Sequence, residues 1–172
     1  MISLRTFTEA ELSFFDALPG QAADPYSFFG FSRGSASVRA RWAENRLIGD
    51  TSGTLAVDLD GTVIGDVDWH VVSYGPPPMS NAFNFGIRIL PAYQGQGHGT
   101  NAQVELAKYL LATYPVNRIE AGTDVTNLAE QRSLEKAGFT REGILRGSHW
   151  RDGQWHDMVL YSRLRSDGRD GQ

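Results

Sequence analysis

Residues 94–99 read QGQGHG, two residues after the apolar run Phe85 to Leu90 and Pro91, and directly before a helical pattern. Gly95, Gly97 and Gly99 strip side chains from one narrow stretch. Glycine takes positive φ at no steric cost, and a helix N-terminus presents open N–H groups to an anion, so this backbone either turns tightly or admits something bulky and negative. A dinucleotide fingerprint, G-x-G-x-x-G counted from Gly95, puts Thr100 at its last position. A P-loop needs Lys and then Ser or Thr after its final glycine, whereas Gly99 is followed by Thr100 and Asn101. Neither motif fits. What both share does fit: a strand end, open N–H groups and a helix dipole that suits a pyrophosphate. A plain glycine-rich turn accounts for the six residues as well.

Hydrophobic periodicity supplies the flanking elements. ISLRTFT alternates as a strand, and TEAELSFFDAL follows as a helix with Thr8 as N-cap and Glu11 three positions on. PGQAADPYSFFGFSRGS is a loop carrying Tyr26, Phe28, Phe29 and Phe31, either a plug on the core or a ligand wall. ASVRARWAENRLIG is an amphipathic helix ended by Gly49. TLAVDLDGTVIGDVDWHVVSY is a hairpin turning at Asp60-Gly61, and the prolines of GPPPMSN make a loop before the strand AFNFGIRIL. After the glycine segment, TNAQVELAKYLLATY is a helix with Thr100 and Gln103 at capping-box spacing, and NRIEAGTDV is a strand. NLAEQRSLEKAGF repeats the capping-box spacing with Asn127 and Glu130, and stops at Gly138. FTREGILRGSHW and WHDMVLYSRL flank a turn at Asp152-Gly153, and RSDGRDGQ is a polar tail expected to fray. The order implies an α/β fold with a mixed sheet and helices on both faces.

Composition narrows the chemistry. With 172 residues the chain makes one domain, residues 1–164, ahead of a tail at 165–172. Zero cysteines exclude a disulfide framework, a thiolate metal site and a cysteine nucleophile, and suggest a cytoplasmic setting. The N-terminus lacks the pattern of a signal peptide, and no apolar stretch approaches a membrane span, so no membrane partner is expected. A net charge of −4 argues against a nucleic-acid partner and leaves room for one small anionic ligand.

Read together, Gln94-x-x-Gly97-x-Gly99 at a strand-to-helix junction, Asn127 at the next helix start, LEKAGF at its end and then EG resemble the acetyl-CoA-binding half of the GNAT N-acetyltransferases. The resemblance runs from about Phe85 to Leu164. It is nearest the branch that includes the ribosomal-protein-alanine N-acetyltransferases, with a mostly antiparallel central sheet. It implies acetyl-CoA as co-substrate, its pyrophosphate on the N–H groups of Gln94, Gly95, Gly97, His98, Gly99 and Thr100. It implies main-chain contacts from Ile87, Ile89 and Leu90 to the pantetheine, a hydrogen bond from Asn127, and direct attack of an amine on the thioester. A homodimer is compatible with it.

Three positions depart from that pattern. Where many members carry a Tyr as general acid stands Leu134; where the ribosomal-protein branch often has Ser stands Glu130; the usual strand carboxylate is Asn84. Asp66, Asp68 and His70 share one strand face, and a His beside a carboxylate takes up a proton near neutral pH, so Asp68 and His70 are the catalytic candidates, against a plain solvated face. Trp69, Trp150 and Trp155 line either an acceptor pocket or the core, and Glu130 reads as a helix cap. The leading function is an acetyl-CoA-dependent N-acetyltransferase acting on a primary amine of a small molecule or protein N-terminus, with no metal. The rivals are a non-catalytic CoA-binding sensor and a scaffold that binds no nucleotide. The acceptor would be gripped by the loops Gly20 to Gly34 and Tyr74 to Ala82.

Overall fold

The computed structural model describes residues 1–16, 26 and 35–167. In chain order it has β1 (Ile2–Arg5), a 3₁₀ helix (Ala10–Phe15), α1 (Ser35–Asn45), β2 (Ser52–Leu59), β3 (Thr62–Ser73) and β4 (Asn81–Ile89). A 3₁₀ turn (Pro91–Tyr93) leads to α2 (His98–Thr113), β5 (Arg118–Asp124), α3 (Leu128–Lys136), β6 (Thr140–Arg151) and β7 (Gln154–Leu164). All seven strands join one sheet in the order β1-β2-β3-β4-β5-β7-β6. Every pair is antiparallel except β4 and β5, which are joined through α2; a parallel pair needs such a crossover.

Strand alternation makes two cores. Leu55 and Val57 of β2, Val67 and Trp69 of β3, and Phe83 and Phe85 of β4 pack with Leu106 and Leu110 of α2 and Leu134 of α3. On the other face Ala56 joins Phe7, Leu12, Val38 and Leu47, under the 3₁₀ helix and α1. The helices therefore lie on both faces, as the periodicity predicts. Both hairpins turn where expected, with Asp60, Gly61, Asp152 and Gly153 all at positive φ.

Four local expectations are corrected. The first helical segment is a 3₁₀ helix with Glu9 as N-cap and no side-chain cap bond, although the Thr8 N–H does donate to Glu11 Oε2 at 2.8 Å. Six residues make too short a run to recover the cost of α-helix nucleation. α1 stops at Asn45, short of the expected end at Gly49, because Arg46 and Leu47 take positive φ. α2 starts at His98 with Gly97 as N-cap, so Thr100 lies inside the helix and forms no capping box. The chain from 165 is not loose at its start: Arg165 donates to the carbonyls of Tyr114 and Val116, and Asp167 Oδ2 accepts from the Leu164 N–H. Phe28, Phe29 and Phe31 lie outside the described residues.

Candidate active site: a fork between two parallel strands

β4 and β5 pair at only two positions, Phe83 with Ile119 and Asn84 with Glu120. β4 then runs on to Ile89 and β5 to Asp124, so their facing edges part into a fork. The Leu90 N–H donates to the Ile64 carbonyl at 2.8 Å. Backbone alternation from that bond turns the main-chain groups of 84, 86 and 88 toward β3 and those of 85, 87 and 89 toward the fork. An extended ligand can add to that open edge as a strand would.

The expected backbone donors are sorted by this geometry. Ile87 and Ile89 face the fork, though the Ile89 carbonyl already accepts from the Gln94 side-chain amide at 2.8 Å. Leu90 does not face it: its N–H serves Ile64 and its carbonyl accepts from the Tyr93 N–H. Leu90 sits one residue past the alternation that exposes its neighbours, so its N–H is turned to β3.

At the fork's wide end Gly95 and Gly97 stand at φ 73° and 81°, conformations that an L side chain rarely takes. The first intrahelical bond of α2 runs from the Asn101 N–H to the Gly97 carbonyl. The N–H groups of His98, Gly99 and Thr100 thus lack intrahelical partners, and Gly97 offers no side chain to cap them. A Cβ on Gly97 would meet nothing within 4 Å, whereas one on Gly99 would lie 3.7 Å from Ile89 Cγ1 and 4.0 Å from Ser133 Oγ.

α3 closes one flank. Asn127 caps it, accepting from the Glu130 N–H at 3.3 Å and donating to Thr123 Oγ1 at 3.1 Å. Glu130 does not return the favour. Its carboxylate accepts from Gln103 of α2 at 2.6 Å, and Ser133 links Gln103 to Thr100. Burial pushes the Glu130 carboxyl up to about 7, against the smaller downward pull of the Gln103 hydrogen bond. The capping role is corrected to a polar tie between two helices.

On the sheet face away from α2, register brings distant residues together. Asp66 pairs across to Arg88, Asp68 to Gly86 and His70 to Asn84, which in turn pairs with Glu120. Asp66 is held by Arg88 at 2.8 and 3.0 Å. Asp68 Oδ1 lies 3.1 Å from where a Cβ on Gly86 would be, so its carboxylate hangs over the fork's edge, with exposed His70 next along the strand. Gly122 occupies the matching place on β5, two residues past the last pairing. Glycines thus stand on both banks where the strands part: the Asp68 carboxylate covers Gly86, and Met158 Cε lies 2.7 Å from where a Cβ on Gly122 would be. Glu120, almost wholly buried, accepts from Tyr74 Oη at 2.6 Å, Arg118 Nε at 2.9 Å and Asn84 Nδ2 at 3.3 Å.

Residues 2–140 match the model of the acetyltransferase (GNAT) domain. The chain belongs to the GNAT acetyltransferase family. Among relatives of this GNAT domain, the probable N-acetyltransferase YjcK of Bacillus subtilis is 34% identical over 63% of the chain and 58% of its own length. The spermidine N-acetyltransferase of Vibrio cholerae, solved with CoA and spermine, superposes with a TM-score of 0.81 at 19% identity over 98% of both chains. RimL, a ribosomal L7/L12 α-N-protein acetyltransferase solved with CoA, gives 0.78 at 17% identity over 95% of this chain and 93% of its own. Among the described residues no group of three or more His, Asp or Glu could hold a metal ion.

The tryptophan alternatives resolve unevenly. Trp69 is core, edge-on to Tyr109 and Tyr114. Trp150 and Trp155 are exposed and pack against each other at 5.1 Å on the β6–β7 hairpin. Sequence reasoning missed Tyr74, Gly86, Gly122, Glu120 and the Asp124–Arg151 pair at 2.9 Å. Alternation within β4 and β5 signalled only Gly86, Glu120, Gly122 and Asp124, and alternation does not reveal which strand or loop lies next door.

Proposed function

We propose that this GNAT protein transfers the acetyl group of acetyl-CoA to a primary amine by direct attack, with the amine entering from the Asp68 face of the fork. The observation that carries the reading is the fork itself, an unpaired β4 edge leading to uncapped N–H groups at α2. Residues present fit the cofactor: His98, Gly99 and Thr100 N–H groups suit a pyrophosphate, with Gly95 and Gly97 shaping the approach and Gln94 steadying the end of β4. Ile87, the Ile89 N–H and Asn127 suit the pantetheine amides. Bound acetyl-CoA supplies an activated acyl carbon.

The chain's own task is to free the amine's lone pair. An alkylammonium with a pKa of ~10.4 is almost wholly charged at neutral pH, so a group at the fork must take its proton. Asp68 is placed for that, directly or through water, with His70 beside it. A carboxylate there also attracts the ammonium on approach. A non-catalytic CoA sensor has no use for it.

A cytoplasmic setting belongs to the same reading, supported by a cysteine-free chain. Among the described residues no helix is long and apolar enough to cross a membrane. The single domain with its short tail and a homodimer complete the reading. Sedimentation would test the dimer. For the activity, mass spectrometry of products from a mixed amine and peptide library, incubated with acetyl-CoA, is the test. Acetylated product is expected; CoA binding without any product would leave the sensor.

A further inference from the structure

Four side chains between α2 and α3 form a hydrogen-bond chain that runs in one direction. Thr100 and Ser133 are joined through their hydroxyls at 2.9 Å, the Ser133 hydroxyl donates to Gln103 Oε1 at 3.2 Å, and Gln103 Nε2 donates to Glu130 Oε1 at 2.6 Å. A hydroxyl has one proton to give, so with that of Ser133 committed to Gln103 it is Thr100 that donates to Ser133. Every donor points away from the glycine loop, and the chain ends on a carboxylate.

Its other end lies at the first turn of α2, where the N–H groups of His98, Gly99 and Thr100 lack intrahelical partners. Ser133 Oγ stands 4.0 Å from where a Cβ on Gly99 would be. In this direction the Thr100 hydroxyl proton is withheld from an anion at those N–H groups.

The distances suit the opposite direction better. N–H···O bonds centre on ~2.9–3.0 Å and O–H···O bonds on ~2.7–2.8 Å. The 2.6 Å step is short for an amide donor and ordinary for a carboxyl O–H, and the 3.2 Å step is long for a hydroxyl donor and usual for an amide N–H. Turning the Gln103 amide over exchanges its nitrogen and oxygen in place. A protonated Glu130 then donates to Gln103, Gln103 to Ser133 and Ser133 to Thr100, whose hydroxyl is released to donate outward. Only a protonated Glu130 can start that sequence, because a carboxylate has no proton to give.

The surroundings allow it. Burial pushes the Glu130 carboxyl up to about 7, and only the Gln103 bond pulls it the other way. The charged groups of the neighbouring elements are engaged elsewhere or exposed. Glu105 and Lys108 of α2 pair with each other, Glu135 of α3 accepts from Tyr161, Asp124 is held by Arg151, and Glu142 of β6 by Arg118. Arg132 and Lys136 of α3 and Arg141 of β6 are exposed, and half-buried His98 sits at the loop end of the chain.

Resting on the acetyltransferase reading above, we propose that acetyl-CoA binding takes up a proton at Glu130: a phosphate oxygen at α2 accepts from the Thr100 hydroxyl, the chain reverses, and Glu130 supplies the hydrogen at its far end. The proton comes from solvent, and no covalent bond other than that O–H changes.

Calorimetric titration of acetyl-CoA without acceptor, in two buffers of different ionisation enthalpy, counts the protons taken up. A tenfold tighter hold on the Glu130 proton in the complex predicts an uptake of about half a proton near pH 7.5, and a Kd about fivefold higher at pH 8.5 than at pH 6.5. Glu130→Gln, neutral and able to donate through its own amide, should show neither, and the ligand's own ionisations are read from it. Thr100→Val should also lose the uptake and Thr100→Ser keep it. No uptake in the wild type, equal uptake in wild type and Glu130→Gln, or full uptake in Thr100→Val would overturn the proposal. The wild type and the Thr100 variants decide even where Glu130→Gln misfolds. Acetyl-CoA binding without this linkage leaves the acetyltransferase reading standing, whereas no binding at all ends both.

Discussion

Gln103 of α2, with no exposed surface, donates its side-chain amide to Glu130 of α3 at 2.6 Å. The bond ties together the two helices whose N-termini flank the fork. A buried amide and a half-buried carboxyl satisfy one another there, and the Ser133 and Thr100 hydroxyls complete the chain.

That bond makes stability depend on pH in a set direction. Burial raises the Glu130 pKa from 4.5 to about 7, so the fold holds this proton more tightly than the unfolded chain does. The stabilisation is complete below 4.5 and is lost as pH rises through about 7. Glu130→Gln, neutral at every pH, should match wild type near pH 5 and exceed it by ~1–3 kcal/mol at pH 8. Urea midpoints at the two pH values check this; an equal difference at both would mean that Glu130 is not proton-linked.

Gly97 and Gly99 should separate backbone strain from room for a side chain. Gly97→Ala forces a side chain into φ 81° and should cost ~1–2 kcal/mol. Gly99 lies inside α2 with ordinary contact distances around its missing Cβ, so Gly99→Ala should fold with no loss. Saturating CoA at 100 times its Kd should stabilise wild type by ~2.7 kcal/mol. Gly97→Val should lose that gain. Unchanged CoA affinity in Gly97→Val would remove the phosphate site from this loop.

Asp68 and His70 share a face, but only Asp68 lies over Gly86 at the fork. Asp68→Asn should lower kcat/KM about 100-fold, within the usual range for losing a general base, while His70→Gln stays within about threefold. The acidic limb of the pH profile should vanish with Asp68→Asn. A profile unchanged in both variants would leave water and main-chain carbonyls as proton acceptors.

Gly53 is required by Trp69. A Cβ there would stand 2.1 Å from the indole ring, which is itself wedged against Tyr109 and Tyr114. Gly53→Ala should destabilise by ~3 kcal/mol through overpacking, seen as a lower urea midpoint at unchanged m. A midpoint within error of wild type would show that Trp69 swings aside.

Much of the scaffold is legible in the chain because its causes are local. Asp60-Gly61 and Asp152-Gly153 specify hairpin turns by their own φ preferences, and Asn127 caps α3 as its spacing implies. Where local signals mislead, a neighbour in space decides. Glu130 leaves the capping position for Gln103, and Thr100 turns to Ser133 once Gly97 has started the helix.

The sequence by itself determined the element order, the glycine loop at the start of α2 and the family resemblance, since each is written within a few consecutive residues. Tertiary structure alone decided the polar face of the fork, opposite α2. Gly86 and Gly122 stand on facing banks of the fork, Tyr74 reaches Glu120, and Arg151 reaches Asp124 because strands distant in sequence are brought into register by burying Phe83, Phe85, Ile119 and Val159 on the opposite face. Register is a property of the whole sheet: slipping one strand by one residue would turn each of its polar groups into the core and its apolar groups into the fork.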